Sequence, residues 1–267
     1  MNELPGWFLS GRHRPRRAHS RLAARVDVGS PDEVAKRARR AAEAGFSWVE
    51  IRCKTGDEAD TLNAACMAAR AAGAPAIAAN IGVDPLVTSD VEFRAFCEAS
   101  TGIQWIVISS GRPAGNVATP VERGRVFEAL DRWRDTARES GMSLAVLGAP
   151  DLILGTTVAC ERFAQDRWGR GTALALDPSR WLASEDDDER QVLDLLLGLA
   201  PWSQVLYLGR ESDTGVRTEP AVRALRAAGV PPCIVLYGDD IGAVRDETKS
   251  VFEKLGLPLD GTEDTGG

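Results

Sequence analysis

Histidine is almost missing from this 267-residue chain: the only two, His13 and His19, precede the first expected strand, Leu22–Val28. The body of the protein therefore lacks the side chain most often used for proton transfer near neutral pH and for metal ligation. No stretch approaches the roughly 18 consecutive apolar residues of a membrane span. The early run Leu22–Val28 is broken by Arg25 and Asp27, so no secretory segment is expected and a cytoplasmic location is. The five cysteines are an odd number, widely spaced and without a C-x-x-C pair, which argues against a disulfide framework and for reduced, mostly buried thiols. Cys53, just past a strand end, is the one placed to face a site. Positive charge is not in excess. The net charge of −7 argues against nucleic acid as a partner, despite the basic run Arg12, Arg14, Arg16, Arg17 and Arg21, read as a solvated tail or a strap across a subunit. Tyrosine is scarce, with Tyr207 and Tyr237 alone.

What is abundant is one kind of junction. In Arg39–Arg52, Ala68–Asn80, Ala137–Leu147 and Leu225–Tyr237, an Ala/Arg-rich helical stretch ends at a glycine suited to a left-handed cap. Each then enters an apolar run too short for a helix and suited to a strand buried on both faces. Strands are expected at Leu22–Val28, Phe46–Arg52, Ala76–Asn80, Gln104–Ser109, Ser143–Leu147, Thr172–Asp177, Gln204–Leu208 and Cys233–Tyr237, with a helix after each. Ser30-Pro31-Asp32-Glu33 and Thr119-Pro120-Val121-Glu122 combine an N-cap, a first-turn proline and a capping-box glutamate, opening two of those helices.

Eight such units over about 250 residues predict an α/β protein of one domain, a parallel (β/α)₈ TIM barrel. A doubly wound sheet is the competitor, but no G-x-G-x-x-G follows the first strand. The organisation expected is a basic extension over residues 1–21, the barrel over 22–258 and a Gly/Thr/acidic tail over 259–267.

Barrel chemistry sits at the C-terminal ends of the strands. The polar residues expected there are Asp27, Glu50, Arg52, Asn80, Ser109, Ser110, Asp177, Arg180, Tyr207, Arg210, Tyr237, Asp239 and Asp240, a ring suited to a hydroxylated or anionic small molecule. Ser109–Asn116 has the composition of a backbone nest for an anion. Trp181 is placed to stack on a sugar ring or to pack in the helix layer.

Taken in order, Ala41–Glu50 (AAEAGFSWVE), Arg134–Val146, Leu174–Arg180 (LALDPSR) and Thr218–Tyr237 resemble the xylose-isomerase-like TIM barrels, the sugar phosphate isomerase/epimerase superfamily. The resemblance spans nearly the whole chain. It implies one divalent metal held by a Glu, an Asp, a His and a final Glu from strands five to eight. In this chain those positions carry Leu147 or Gly148, Asp177, Tyr207 and Tyr237, with Arg180 where a companion histidine is expected. One ligand of the set survives, so no metal and no other cofactor is expected.

Two readings stay open. In the first, the chain is a metal-independent isomerase or epimerase acting on a small carbonyl- or hydroxyl-bearing molecule. Its catalytic residues are Glu50 as proton shuttle, Asp177, and the phenols of Tyr207 and Tyr237. Arg52, Asn80, Ser109, Arg180, Trp181, Arg210 and Asp239 bind substrate, with Arg180 or Arg210 anchoring an anion. In the second, it is a degenerate barrel that binds a ligand or partner without chemistry. A pocket bounded by Glu50, Asp177, Tyr207 and Tyr237 favours the first. A centre plugged by Leu147 and the tyrosine rings favours the second. The partners expected are a small molecule and a second copy of the chain, with neither nucleic acid nor membrane.

Overall fold

The computed structural model describes residues 21–100, 102–115, 117–167, 170–181, 189–211, 214–215, 225, 227–228, 232–238 and 240–257. The N-terminal extension, the tail and most of the helix expected after the strand Gln204–Leu208 lie outside them. Eight parallel strands close on themselves: β1 (Arg21–Asp27), β2 (Trp48–Arg52), β3 (Ala76–Asn80), β4 (Trp105–Ser109), β5 (Ser143–Leu147), β6 (Thr172–Leu176), β7 (Ser203–Glu211) and β8 (Cys233–Gly238). Each pairs with the next, and β8 pairs with β1. A two-residue strand, Thr214–Gly215, folds back antiparallel on the end of β7. The helices described are α1 (Pro31–Glu43), α2 (Ala59–Ala71), α3 (Asp90–Ala99), α4 (Pro120–Glu139), α5 (Thr157–Arg167), α6 (Glu189–Leu199) and α7 (Ile241–Lys254). The TIM barrel expected from the sequence is the fold.

The local signals work as their chemistry requires. Ser30 and Thr119 accept from the backbone N–H of Glu33 and Glu122, while those glutamates reach back to the cap N–H, closing both capping boxes. Ser89 and Glu92 build a third at the start of α3. Gly45, Gly73 and Gly141 have φ of 85°, 91° and 78°, the left-handed conformation that lets the chain leave α1, α2 and α4 and turn into the next strand. The fourth junction, at Gly229, lies outside the described residues.

Because strand side chains alternate, the barrel has two cores. Outward residues such as Val26, Ile51, Ile106, Val146 and Leu236 pack under the helices. Inward residues fill the cylinder: Ala23, Ala78, Val107, Ala145, Ala175, Val205, Cys233 and Val235, with Trp105 towards the N-terminal end, its indole N–H donating to Gln204. These small side chains leave room for the large polar ones of the C-terminal half. Gly209 serves the same packing. A Cβ there would stand 2.1 Å from the Tyr237 carbonyl oxygen and 2.7 Å from its Cγ, so only glycine lets the Tyr237 ring lie against β7.

Candidate active site

The parallel register between β1 and β2 sets Arg25 opposite Glu50 and Asp27 opposite Arg52. All four point inward, so two ion pairs of opposite polarity stack along the cylinder. The upper pair, at the mouth, is bidentate and about one-third exposed: Arg52 donates from Nε and Nη2 to the two oxygens of Asp27. The lower pair is enclosed. Arg25 Nε donates to Glu50 Oε2 at 3.0 Å, with side-chain exposures of 10% and 0%.

Glu50 has a second donor, the Tyr207 hydroxyl on Oε1 at 2.5 Å, and Asn80 in turn donates to that hydroxyl at 3.1 Å. The guanidinium carbon of Arg25 lies 4.7 Å from the centroid of the Tyr207 ring and 4.4 Å from that of Tyr237. The cation is thus held in-line with a carboxylate and against two aromatic rings. Burial pulls the Arg25 pKa down, but Glu50 and then Tyr207 outweigh it and leave it raised, so the group stays charged. Burial, and then the Glu50 charge, push the Tyr207 phenol well above its ordinary value.

A second cluster caps this floor. Asp177 follows β6 directly, at the entry to the 3₁₀ turn Pro178–Arg180, and is 7% exposed. Ser179 donates to its Oδ1 at 2.6 Å, and Tyr237 donates to the same oxygen at 3.3 Å. The two hydroxyls are 2.9 Å apart. Among the described residues Oδ2 has no hydrogen-bond partner. Burial, then the Asp177 charge, raise the Tyr237 phenol to about 12, so it is a neutral donor at physiological pH and not a base.

The structure therefore brings together Glu50, Asn80, Asp177, Tyr207 and Tyr237 and distributes the other expected residues around the rim. Arg52 pairs with Asp27. Ser109 donates to the Val83 carbonyl. Arg180 donates from Nη2 to both oxygens of Asp151, which also pairs with Arg112. Trp181 packs against the core beneath the helices, its buried indole N–H without a partner among the described residues. The Arg210 side chain and Asp239 lie outside those residues. Cys53 is buried among the outward-facing core residues.

Two N–H groups of the expected nest, those of Arg112 and Ala114, are supplied with anions from within the protein. The Arg112 N–H goes to Asp84 and the Ala114 N–H to Glu122, whose carboxyl is held at about 2 by that bond and the one from Thr119.

Arg25, Ser179 and Asp151 were not foreseen. Arg25 reads in the sequence as a break in an apolar run. The signal that finds it is the complementary spacing Arg-x-Asp at the end of β1 and Glu-x-Arg at the end of β2.

No protein-family profile matches the chain, and no curated protein matches it in sequence. Solved structures do match in fold. A xylose isomerase-like TIM barrel protein from Mycobacterium smegmatis, in complex with magnesium, is 15% identical, covering 88% of this chain and 96% of its own, with a TM-score of 0.63. A D-allulose 3-epimerase from Methylomonas sp. is 14% identical over 90% of this chain and 100% of its own, with a TM-score of 0.67. A family 2 AP endonuclease from Brucella melitensis is 14% identical, again over 90% and 100%, with a TM-score of 0.61. The fold is that of the xylose isomerase-like TIM barrels, in a divergent sequence. Neighbours of different activity at equal similarity show that the fold alone does not assign the reaction.

The donor set at the corresponding positions does not fit the divalent metal that this fold implies. Leu147 offers nothing, Tyr207 and Tyr237 are neutral phenols with raised pKa values, and Asp177 is a single carboxylate. Among the described residues no three His, Cys, Asp or Glu side chains converge on a point. The resident guanidinium already supplies a positive charge there.

Burial also raises the thiols, to about 12 for Cys53, Cys97 and Cys160 and about 11 for Cys66, from an ordinary 9.0. The folded state therefore holds thiol and Tyr237 protons that the unfolded chain releases. Stability is at its full value below about pH 9 and falls progressively from pH 9 towards 12. Urea unfolding between pH 7 and 11 is expected to show a midpoint declining only above pH 9. A flat profile counts against the buried assignment of these groups.

Proposed function

We propose that this chain is a metal-independent enzyme of isomerase or epimerase type, moving a proton on a small hydroxylated or carbonyl-containing, sugar-like molecule held at the barrel mouth. The observation that carries the reading is Asp177. It is a nearly buried carboxylate at a strand end, with one oxygen fixed by two hydroxyls and the other without a partner among the described residues. In a barrel, that is where a reacting group belongs. The D-allulose 3-epimerase among the structural neighbours supports the substrate class.

The roles follow from the geometry. Oδ2 of Asp177 takes a proton from carbon beside a carbonyl and returns it, while Ser179 and Tyr237 hold the carboxylate in one orientation. The Arg25 guanidinium is a fixed cation in the water-poor floor beneath that carboxylate. Glu50, fully buried with both oxygens engaged, holds that cation in place and is a positioning residue.

A second reading has an observation of its own. Leu147 and the rings of Tyr207 and Tyr237 are all nearly buried in the cylinder, as in a barrel that binds without reacting.

One experiment separates the two. Protein treated with chelator is incubated with a panel of ketoses and their phosphates in D₂O, and loss of the C–H signal is followed by NMR. The enzyme reading expects exchange at one carbon, reduced about 10²–10⁴-fold by Asp177→Asn. Exchange by no substrate, or undiminished exchange in D177N, refutes it.

A further inference from the structure

We propose that the guanidinium of Arg25 is the anchor for an anionic group of the ligand, so that the molecule bound at the mouth carries a carboxylate or a phosphate beside its hydroxyls. This rests on reading the mouth as a small-molecule site and names the class of molecule that site takes.

Only Nε of Arg25 is engaged, by Glu50. Neither terminal nitrogen has a hydrogen-bond partner among the described residues. The Tyr207 and Tyr237 rings lie against the guanidinium and leave its edge as the part that reaches a ligand. That edge is what forms paired, parallel hydrogen bonds with a carboxylate or phosphate. Its route to solvent is through the mouth, where Arg25, Asp177 and Tyr237 keep the residual exposure of the floor while Glu50 and Tyr207 have almost none.

Among the described residues, the other candidates for the task have partners. Arg180 and Arg112 share Asp151, Arg52 is bidentate to Asp27, and the loop N–H groups of Arg112 and Ala114 go to Asp84 and Glu122. A cationic side chain set into a closed barrel with its terminal donors unused has been positioned for a ligand. Glu50 cancels one unit of charge, so recognition works through directed donors and not through a diffuse positive field. The same arrangement sets the spacing: an oxyanion on Arg25 leaves the rest of a short molecule facing Asp177, whose charge is within range of the guanidinium.

Three polyols of matched length test this by calorimetry on the full chain: sorbitol, D-gluconate and sorbitol 6-phosphate. At least one of the two anions is expected to bind about tenfold or more tightly than sorbitol. Which one does so tells a sugar acid from a phosphate ester. Arg25→Lys keeps the charge and loses the fork, and is expected to remove most of that preference. The double variant R25M/E50Q, which removes both charges together so that the fold is kept, is expected to abolish the preference entirely. Asp177→Asn is expected to retain it, so failure of the proton-transfer reading and failure of the anchor are told apart. Equal affinity for all three polyols, no binding of either anion at millimolar concentration, or an undiminished preference in R25M/E50Q overturns the proposal.

Discussion

Arg25→Met is expected to destabilise the protein by about 3–5 kcal/mol. The loss comes from what remains. Glu50 has no exposed surface and faces only Tyr207 once Arg25 is gone, so its charge is left in a medium that cannot solvate it. The prediction carries its own control. Removing both charges in R25M/E50Q deletes the buried pair as a unit and is expected to recover most of the loss, because an ion pair taken out of water is close to neutral against an uncharged replacement. Guanidinium unfolding of wild type, R25M, E50Q and the double variant closes the cycle. Additive losses show that the pair does not act as a unit.

Trp133→Ala is expected to cost a similar amount, about 3–5 kcal/mol, for a different reason. Trp133 is fully buried in the middle of α4, stacked on Phe93 of α3 with ring centroids 4.4 Å apart and planes 5° from parallel. Its indole N–H donates to Asp90 at 2.8 Å, beside the bond that Arg132 makes to the same carboxylate. Truncation leaves a cavity between two helices that the rigid barrel behind them cannot close. The Asp90 carboxylate keeps Arg132, so the cost is packing and not a stranded charge. Trp133→Phe preserves the stack and is expected to lose much less. Equal losses in the two variants place the stabilisation in the hydrogen bond instead.

Much of the fold was legible because each element is marked twice. Pro120, Thr119 and Glu122 open α4 at the residue where it begins, and Gly141 ends it where the strand Ser143–Leu147 must start. The buried strands, such as Trp105–Ser109, carry apolar runs with no alternation, which only a doubly covered sheet accommodates. The site was legible in position more than in role. Glu50, Asp177, Tyr207 and Tyr237 meet in the cylinder, as strand-end counting expected. Glu50 carries the sequence signature of a proton shuttle, but its partner Arg25 stands 25 residues earlier, and only strand register reveals that distance as contact. Arg180 looked like an anchor because Asp151, in a loop of unremarkable sequence, gives no sign of reaching it.

The guanidinium in the cylinder also sets a condition on building a metal site into this barrel. An ion held between positions 177, 207 and 237 would stand beside the Arg25 guanidinium, which lies against both tyrosine rings, and each would repel the other. Carboxylates introduced at 147 or 237 while Arg25 is present would find a partner in the arginine before they found an ion. The first step towards a metal enzyme is therefore a loss on β1, far along the chain from every position that would later hold the ion.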